Sequence, residues 1–261
     1  MPAGLSLQKT GKRMDWMIKE LAYSETLMGT LSLRRRNDAV TQRVVHEIKL
    51  NDEFLMSDLF TAAEEALARL GLAMLEGSPL DVVVGGLGLG YTARAALEDP
   101  RVQSLTVVDA LAEVIQWHRE HLLPLGETLT ADSRCRLVQG DFFALAGADG
   151  FDPDQPNRKF DAILLDVDHS PRWTLHPSHA WLYEREGLAR LAQHLSPGGV
   201  FALWSNDPPD AEFLAHLSAV FADAKAHVVT FPNPLQNRDA TNTVYTAQAR
   251  PKGDRNESGS A

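Results

Sequence analysis

Residues 81–90 read Asp-Val-Val-Val-Gly-Gly-Leu-Gly-Leu-Gly, and this stretch decides the fold. Val82 to Gly85 suit a buried parallel strand, which is covered on both faces and therefore reads as an unbroken apolar run. Gly86, Gly88 and Gly90 follow at alternate positions, and a helix-like run over 91–97 comes next. A glycine turn between strand and helix lets the backbone approach a ligand closely. It also aims the free N–H groups of the helix start at that ligand. About twenty residues beyond the glycines a second apolar strand, 105–108, runs into Asp109. A carboxylate at that point can accept hydrogen bonds from both hydroxyls of a ribose. The stretch therefore predicts a site for a nucleoside-containing cofactor.

Downstream the pattern alternates strand and helix, which predicts a doubly wound α/β domain. Strands are expected over 81–85, 104–108, 135–139, 162–166, 200–205, 226–231 and 243–247, and helices over 110–121, 184–194 and 210–221. The last two strands are joined by a loop too short for a parallel crossover, so they are expected to form an antiparallel hairpin. Seven strands closing on such a hairpin fit a methyltransferase-like sheet better than a dinucleotide-binding one. Upstream, 19–35 and 40–55 are rich in strand formers with a turn signal at Asn37-Asp38, which predicts a small antiparallel β-hairpin module. Leu59, Phe60, Ala63, Ala66, Leu67 and Leu70 lie at helical spacing and predict a helix over 57–75, capped at Ser57 or Asp58. The expected organisation is a hairpin module with its linking helix (1–76, loosely structured over 1–13) and a Rossmann-like nucleoside-binding domain (77–250). A polar, Gly/Ser-rich tail (251–261) is expected to be disordered.

The 261-residue chain is 44% hydrophobic, enough to supply a full core, and carries a formal net charge of −10. That balance argues against nucleic acid as a partner, because neutralising phosphates takes clustered Lys and Arg. Arg34, Arg35 and Arg36 form the one dense basic run and read as a solvated strand end. Acidity suits a cationic small-molecule substrate. Cys135, the single cysteine, reads as a core residue in a strand, and the chain cannot form an internal disulfide. No stretch reads as a signal peptide or a membrane span, so a cytoplasmic location and no membrane partner are expected.

The glycine turn alone is ambiguous, since residues 88–93 also satisfy the dinucleotide pattern. Three later features favour an S-adenosylmethionine-type site over a nicotinamide one. Gly140-Asp141 follows the third strand, where a carboxylate can accept from an adenine amino group. The buried strand 160–166 ends in Asp166 at the sheet's carboxyl edge. Residues 195–199 read as a turn into the next strand.

With Leu50-Asn-Asp-Glu-Phe54 and Asp166-Val-Asp-His-Ser-Pro171 added, the chain resembles the spermidine synthase family, the polyamine aminopropyltransferases, from about residue 20 to 248. The resemblance implies a homodimer that binds decarboxylated S-adenosylmethionine and passes its aminopropyl group to an amine. It also implies Asp109 on the ribose and Asp141 at the adenine. Ala110 and Phe142 would then lie against the nucleoside, within the turns that hold Gly86, Gly88, Gly90 and Gly140. The chain departs from the family at its reactive end. Leu89 stands where the family's glycine loop has an aspartate. Met56, Ser57 and Asp58 stand where it has a tyrosine, a histidine and a glutamate. In strict register His169 takes the place of the catalytic aspartate, with Asp168 one residue early.

Attack on a sulfonium carbon is a one-step displacement, so the protein mainly aligns the partners and deprotonates the incoming amine. Asp166, Asp168 and His169 are the candidate catalytic residues. Asp166 or Asp168 would hold a cationic amine while His169 takes the proton, and the loop 166–179 would close over the acceptor. His176 and His179 have ligand-like spacing, but the chemistry needs no metal and none is expected. Trp173, Trp181 and Tyr183 read as lid packing, or as an aromatic cage for a cation. Asn206 and Asp207 either touch the acceptor or start the next helix. The reading is a transferase using an S-adenosylmethionine-type sulfonium donor on a small, cationic amine acceptor. Methyl transfer is slightly favoured, because Leu89 removes a charge that would repel the donor's carboxylate. Aminopropyl transfer from decarboxylated S-adenosylmethionine is the alternative, and a non-catalytic nucleoside-binding protein is a further one.

Overall fold

The structure, a computed structural model, describes residues 18–26, 28–51 and 53–250. The expectations for 1–13 and for the tail 251–261 lie outside the described residues. Four strands, β1 (Lys19–Thr26), β2 (Gly29–Asn37), β3 (Val44–Leu50) and β4 (Glu53–Ser57), form an antiparallel sheet in chain order. Each strand-rich run expected from sequence is thus itself a hairpin. The turn signal at Asn37-Asp38 falls at the link between them, where the Asp38 carboxylate accepts from the amides of Val40 and Thr41. Arg36 bridges Asp38 and Glu47, both at 2.6 Å, so part of the basic run is spent inside this sheet.

The second sheet has seven strands in the order β10-β11-β9-β8-β5-β6-β7. Its members are β5 (Leu80–Gly85), β6 (Val102–Asp109), β7 (Cys135–Gln139), β8 (Phe160–Leu165), β9 (Leu195–Ser205), β10 (Ala222–Asn233) and β11 (Arg238–Gln248). β5 to β9 pair in parallel, while β11 pairs antiparallel to both β9 and β10. This is the expected methyltransferase-like sheet with its closing hairpin. Val82, Val83 and Val84 are fully buried, because helices cover both faces of a parallel sheet. Burial of each such side chain contributes about 1.5–3 kcal/mol.

The helices are α1 (Ala62–Ala73), α2 (Tyr91–Leu97), α3 (Ala112–Arg119), α4 (Gly126–Ala131), α5 (Phe142–Ala146), α6 (Arg185–Leu191) and α7 (Ala211–Val220). α1 starts later than expected. Thr61 is its cap residue, Ser57 ends β4, and Asp58 is taken by His46, whose backbone N and ring Nδ1 lie 2.8 and 2.9 Å from its carboxylate. Leu67 and Leu72 of α1 share one core with Leu31 and Leu33 of β2 and with Val82 and Val84 of β5, so the small sheet is fastened to the large one. The expected turn over 195–199 is instead the first part of β9. The Gly198 amide donates to the Ala249 carbonyl and the Gly199 carbonyl accepts from the Ala249 amide, beyond the end of β11, which draws the segment into the sheet.

Cys135 opens β7, half-buried, and burial pushes its thiol up to about 12. It packs against the core from the strand, where the sequence places it. Among the described residues no helix is long and apolar enough to cross a membrane.

Candidate functional site

All parallel strands of a doubly wound sheet end on one edge, and ligand sites form in the crevice beyond it. A cavity of about 710 Å³ opens there. It is walled by the ends of the central strands, the first turn of α1, the loop after β8, the β10–β11 hairpin and part of the small sheet. Of the residues singled out by sequence, Gly86, Gly88, Gly90, Asp109, Ala110, Asp141, Phe142, Asp166 and His169 all line it. Gly140 and Asp168 do not.

The glycine turn is a requirement of geometry. Gly86 has φ +91°, and a Cβ there would sit 2.0 Å from the carbonyl oxygen of Asp166. Gly88 has φ +49°, and a Cβ would meet the Met56 sulfur at 2.5 Å. Its carbonyl lies 2.9 Å from Nε2 of the buried His118. A carbonyl only accepts, so Nε2 carries the proton, and burial lowers the ring's pKa and keeps it neutral.

Asp109 is held from three sides. Oδ1 accepts from Leu111 N at 2.8 Å, and Oδ2 from Leu87 N at 2.9 Å and more weakly from Gly88 N at 3.5 Å. Burial still raises its pKa, against these three amides. Asp141 caps α5 through Oδ1, which accepts from Phe143 N and Ala144 N at 2.9 and 3.2 Å. Its Oδ2 accepts no hydrogen bond from the described residues. Phe142 lies behind it, stacked on Phe151 at 4.7 Å. Gly140 sits one step back, its amide bonded to the Asp109 carbonyl and its face against Leu145.

Asp166 has one side-chain partner, Thr92 Oγ1 at 2.7 Å. Burial raises its pKa. Glu64, in the first turn of α1, lines the same cavity. Burial raises its pKa too, the Asp166 charge adds to the rise, and the amides of Ala63 and Glu64 only partly oppose it. Thr92 joins the two, since its hydroxyl also lies 3.3 Å from the Glu64 carbonyl. The sequence reading missed Glu64, yet it left a signal. Glu64 sits four residues after Phe60 and three before Leu67, on the stripe that buries the helix, where an unpaired acid is out of place.

Asp168 faces the other way. It is 1% exposed, and its carboxylate takes Leu175 N at 2.7 Å, His179 Nδ1 at 2.9 Å and Tyr183 Oη at 2.7 Å. These bonds tie the loop after β8 to the 3₁₀ turn Pro177–Tyr183. His179 also stacks on Phe143 at 3.7 Å with planes 8° apart. His169 is half-buried on the wall. Its ring makes no hydrogen bond with the described residues, and its backbone carbonyl accepts from Asn206 N at 2.7 Å. Trp173 is 71% exposed, and neither it nor Trp181 nor Tyr183 lines the cavity, so they form no cage there. Asn206 lines it, while Asp207 is exposed and off the wall. Among the described residues no group of three or more His, Cys, Asp or Glu side chains is arranged to hold a metal ion.

Among the described residues four carboxylates line this cavity (Glu64, Asp109, Asp141 and Asp166), and no Lys or Arg does. The sheet order and the crevice across its carboxyl edge define a protein of methyltransferase-like fold. The chain belongs to the spermine/spermidine synthase family: the model of the spermine/spermidine synthase domain matches residues 61–236. Polyamine aminopropyltransferase 2 of Pseudomonas aeruginosa is 30% identical over 169 residues, which is 61% of this chain and 44% of that protein. The polyamine aminopropyltransferase of Sulfolobus acidocaldarius is 27% identical over 189 residues, 70% of this chain and 57% of that protein. The chain thus spans about half the length of these curated relatives. The spermidine synthase of Thermotoga maritima shares the fold, with a TM-score of 0.66 at 18% identity over 88% of this chain and 72% of that one.

Proposed function

We propose that the chain transfers an aminopropyl group from decarboxylated S-adenosylmethionine to an amine. The observation that carries this is the charge of the cavity wall, four carboxylates with no Lys or Arg among the described residues. S-Adenosylmethionine carries a carboxylate of its own, which would meet Glu64 and Asp166 without a counter-charge. The decarboxylated donor carries a sulfonium and an ammonium, and both suit this wall. The loss of acid at Leu89 is offset by Glu64, so the argument from Leu89 toward methyl transfer loses its force. The family and the relatives' names also back aminopropyl transfer, the alternative, better than methyl transfer.

In this reading Asp109 receives the ribose hydroxyls on the lone pairs its amide partners leave free, and Asp141 Oδ2 receives the adenine amino group. Ala110 and Phe142 face the nucleoside, and the turn at Gly86, Gly88 and Gly90 lets it lie close. Glu64 and Asp166 hold the aminopropyl ammonium. The acceptor nitrogen attacks the propyl carbon bonded to sulfur. The new N–C bond forms as the C–S bond breaks, the electron pair stays on sulfur, and methylthioadenosine leaves. His169 takes the proton that the acceptor must shed. Asp168 acts from behind, holding the loop 166–179 in place. Two further parts of the proposal are the homodimer, which sedimentation tests, and the division at residue 76.

The test is product analysis. With an amine present, decarboxylated S-adenosylmethionine should yield methylthioadenosine and an aminopropylated amine. Formation of S-adenosylhomocysteine from S-adenosylmethionine, without the first reaction, would overturn the reading.

A further inference from the structure

We infer that the acceptor is a monoamine with an uncharged, largely apolar body, and not a diamine or longer polyamine. This rests on the proposed reaction and adds the substrate class. The sheet order lays the cavity out as a row. Asp141 follows β7 and Asp109 ends β6, which puts the nucleoside over that side. Asp166 follows β8, with Glu64 beside it, which puts the reacting carbon over the centre. The acceptor must enter from the remaining side, over β9, β11 and β10, which spans roughly 14 Å at the usual strand spacing.

The charges stop at β8. Over β9, β11 and β10 the described residues of the wall are aromatic, apolar, amide or, at Thr241, hydroxyl. Phe60 and Phe231 face each other with ring centroids 5.6 Å apart, and Asn242 donates to Asn206 at 3.1 Å. The nearest acids in sequence, Asp207 and Asp239, are exposed and off the wall. The attacking amine lies at the reacting end beside His169, which takes its proton, while Glu64 and Asp166 face the donor's ammonium. A second ammonium farther along would meet amide dipoles, the Thr241 hydroxyl and rings, with no carboxylate among the described residues, and leaving water for such a place is costly. An alkyl or aryl body gains from the same surface.

The experiment is calorimetry on the full chain saturated with methylthioadenosine, titrated with hexylamine, phenethylamine, putrescine and spermidine. The inference expects hexylamine or phenethylamine to bind at least tenfold more tightly than putrescine or spermidine. Asn206→Asp should then narrow that gap at least tenfold by giving a second ammonium its partner. Putrescine or spermidine binding as tightly as the monoamines in the unaltered protein would overturn the inference. Binding alone decides it, so the outcome stands apart from whether turnover supports the proposed reaction.

Discussion

The two ends of the cavity use the same functional group in different ways. At the nucleoside end, backbone amides hold the carboxylates, three on Asp109 and two on Asp141. At the centre, Asp166 has a single hydroxyl and Glu64 has only the amides of its own helix start. A carboxylate fixed by amides is already oriented, and can accept from neutral hydroxyl and amino groups. A closely placed pair with so few donors has both pKa values raised by burial, so a cation entering between them supplies the counter-charge it lacks. The difference divides the cavity into a part that reads shape and hydrogen bonds and a part that reads charge.

Both parts depend on the loop after β8 keeping its place, and the largest effect comes from breaking that. Asp168→Ala leaves Leu175 N, His179 and Tyr183 without their buried acceptor and should destabilise the fold by about 3 kcal/mol or more. Urea unfolding measures this, and a loss below about 1 kcal/mol would mean that other contacts hold the loop. Next in size, Asp109→Ala should weaken methylthioadenosine binding by about 1.5–3 kcal/mol while the protein stays folded. Unchanged affinity would remove Asp109 from the ribose.

The smallest effect sharpens the contrast through pH. Glu64 and Asp166 both have pKa values raised in the folded state. Their contribution to stability is therefore full below the unfolded carboxylate pKa of about 4. It is lost as pH rises toward about 8, because the folded state keeps protons that the unfolded chain has released. The unliganded protein should lose on the order of 1 kcal/mol across that window relative to the Glu64→Gln/Asp166→Asn double variant. Parallel stability curves for the two proteins would show that the pair is not strained.

Much of the fold was legible because its decisive signals are local. The apolar run at Val82, the glycines after it and the short loop before β11 each fix a step of the topology. The third strand, 135–139, matches β7 end to end. What the sequence hid was tertiary. The cap of α1 moved to Thr61 because His46, on the neighbouring strand β3, claims Asp58. β9 began early because Ala249 pairs with Gly198 and Gly199. α4, α5 and the 3₁₀ turn are too short to show a period. At the site, residues at or just past strand ends (Asp109, Asp141, Asp166) fell where strand order put them. Asp168 and His169 are adjacent in the same loop, and spacing alone could not say which would face the cavity. Glu64 was hidden by a helix read only for its apolar stripe.

The central claim is that Glu64 and Asp166 select the donor by charge. It is tested most directly by calorimetric titration of the unaltered protein and of Glu64→Gln with decarboxylated S-adenosylmethionine, S-adenosylmethionine and methylthioadenosine. The account predicts that the unaltered protein binds the decarboxylated donor at least tenfold, about 1.4 kcal/mol, more tightly than S-adenosylmethionine. In Glu64→Gln that preference should shrink about tenfold, with methylthioadenosine affinity within about twofold of the unaltered protein. Equal or tighter binding of S-adenosylmethionine by the unaltered protein would contradict it.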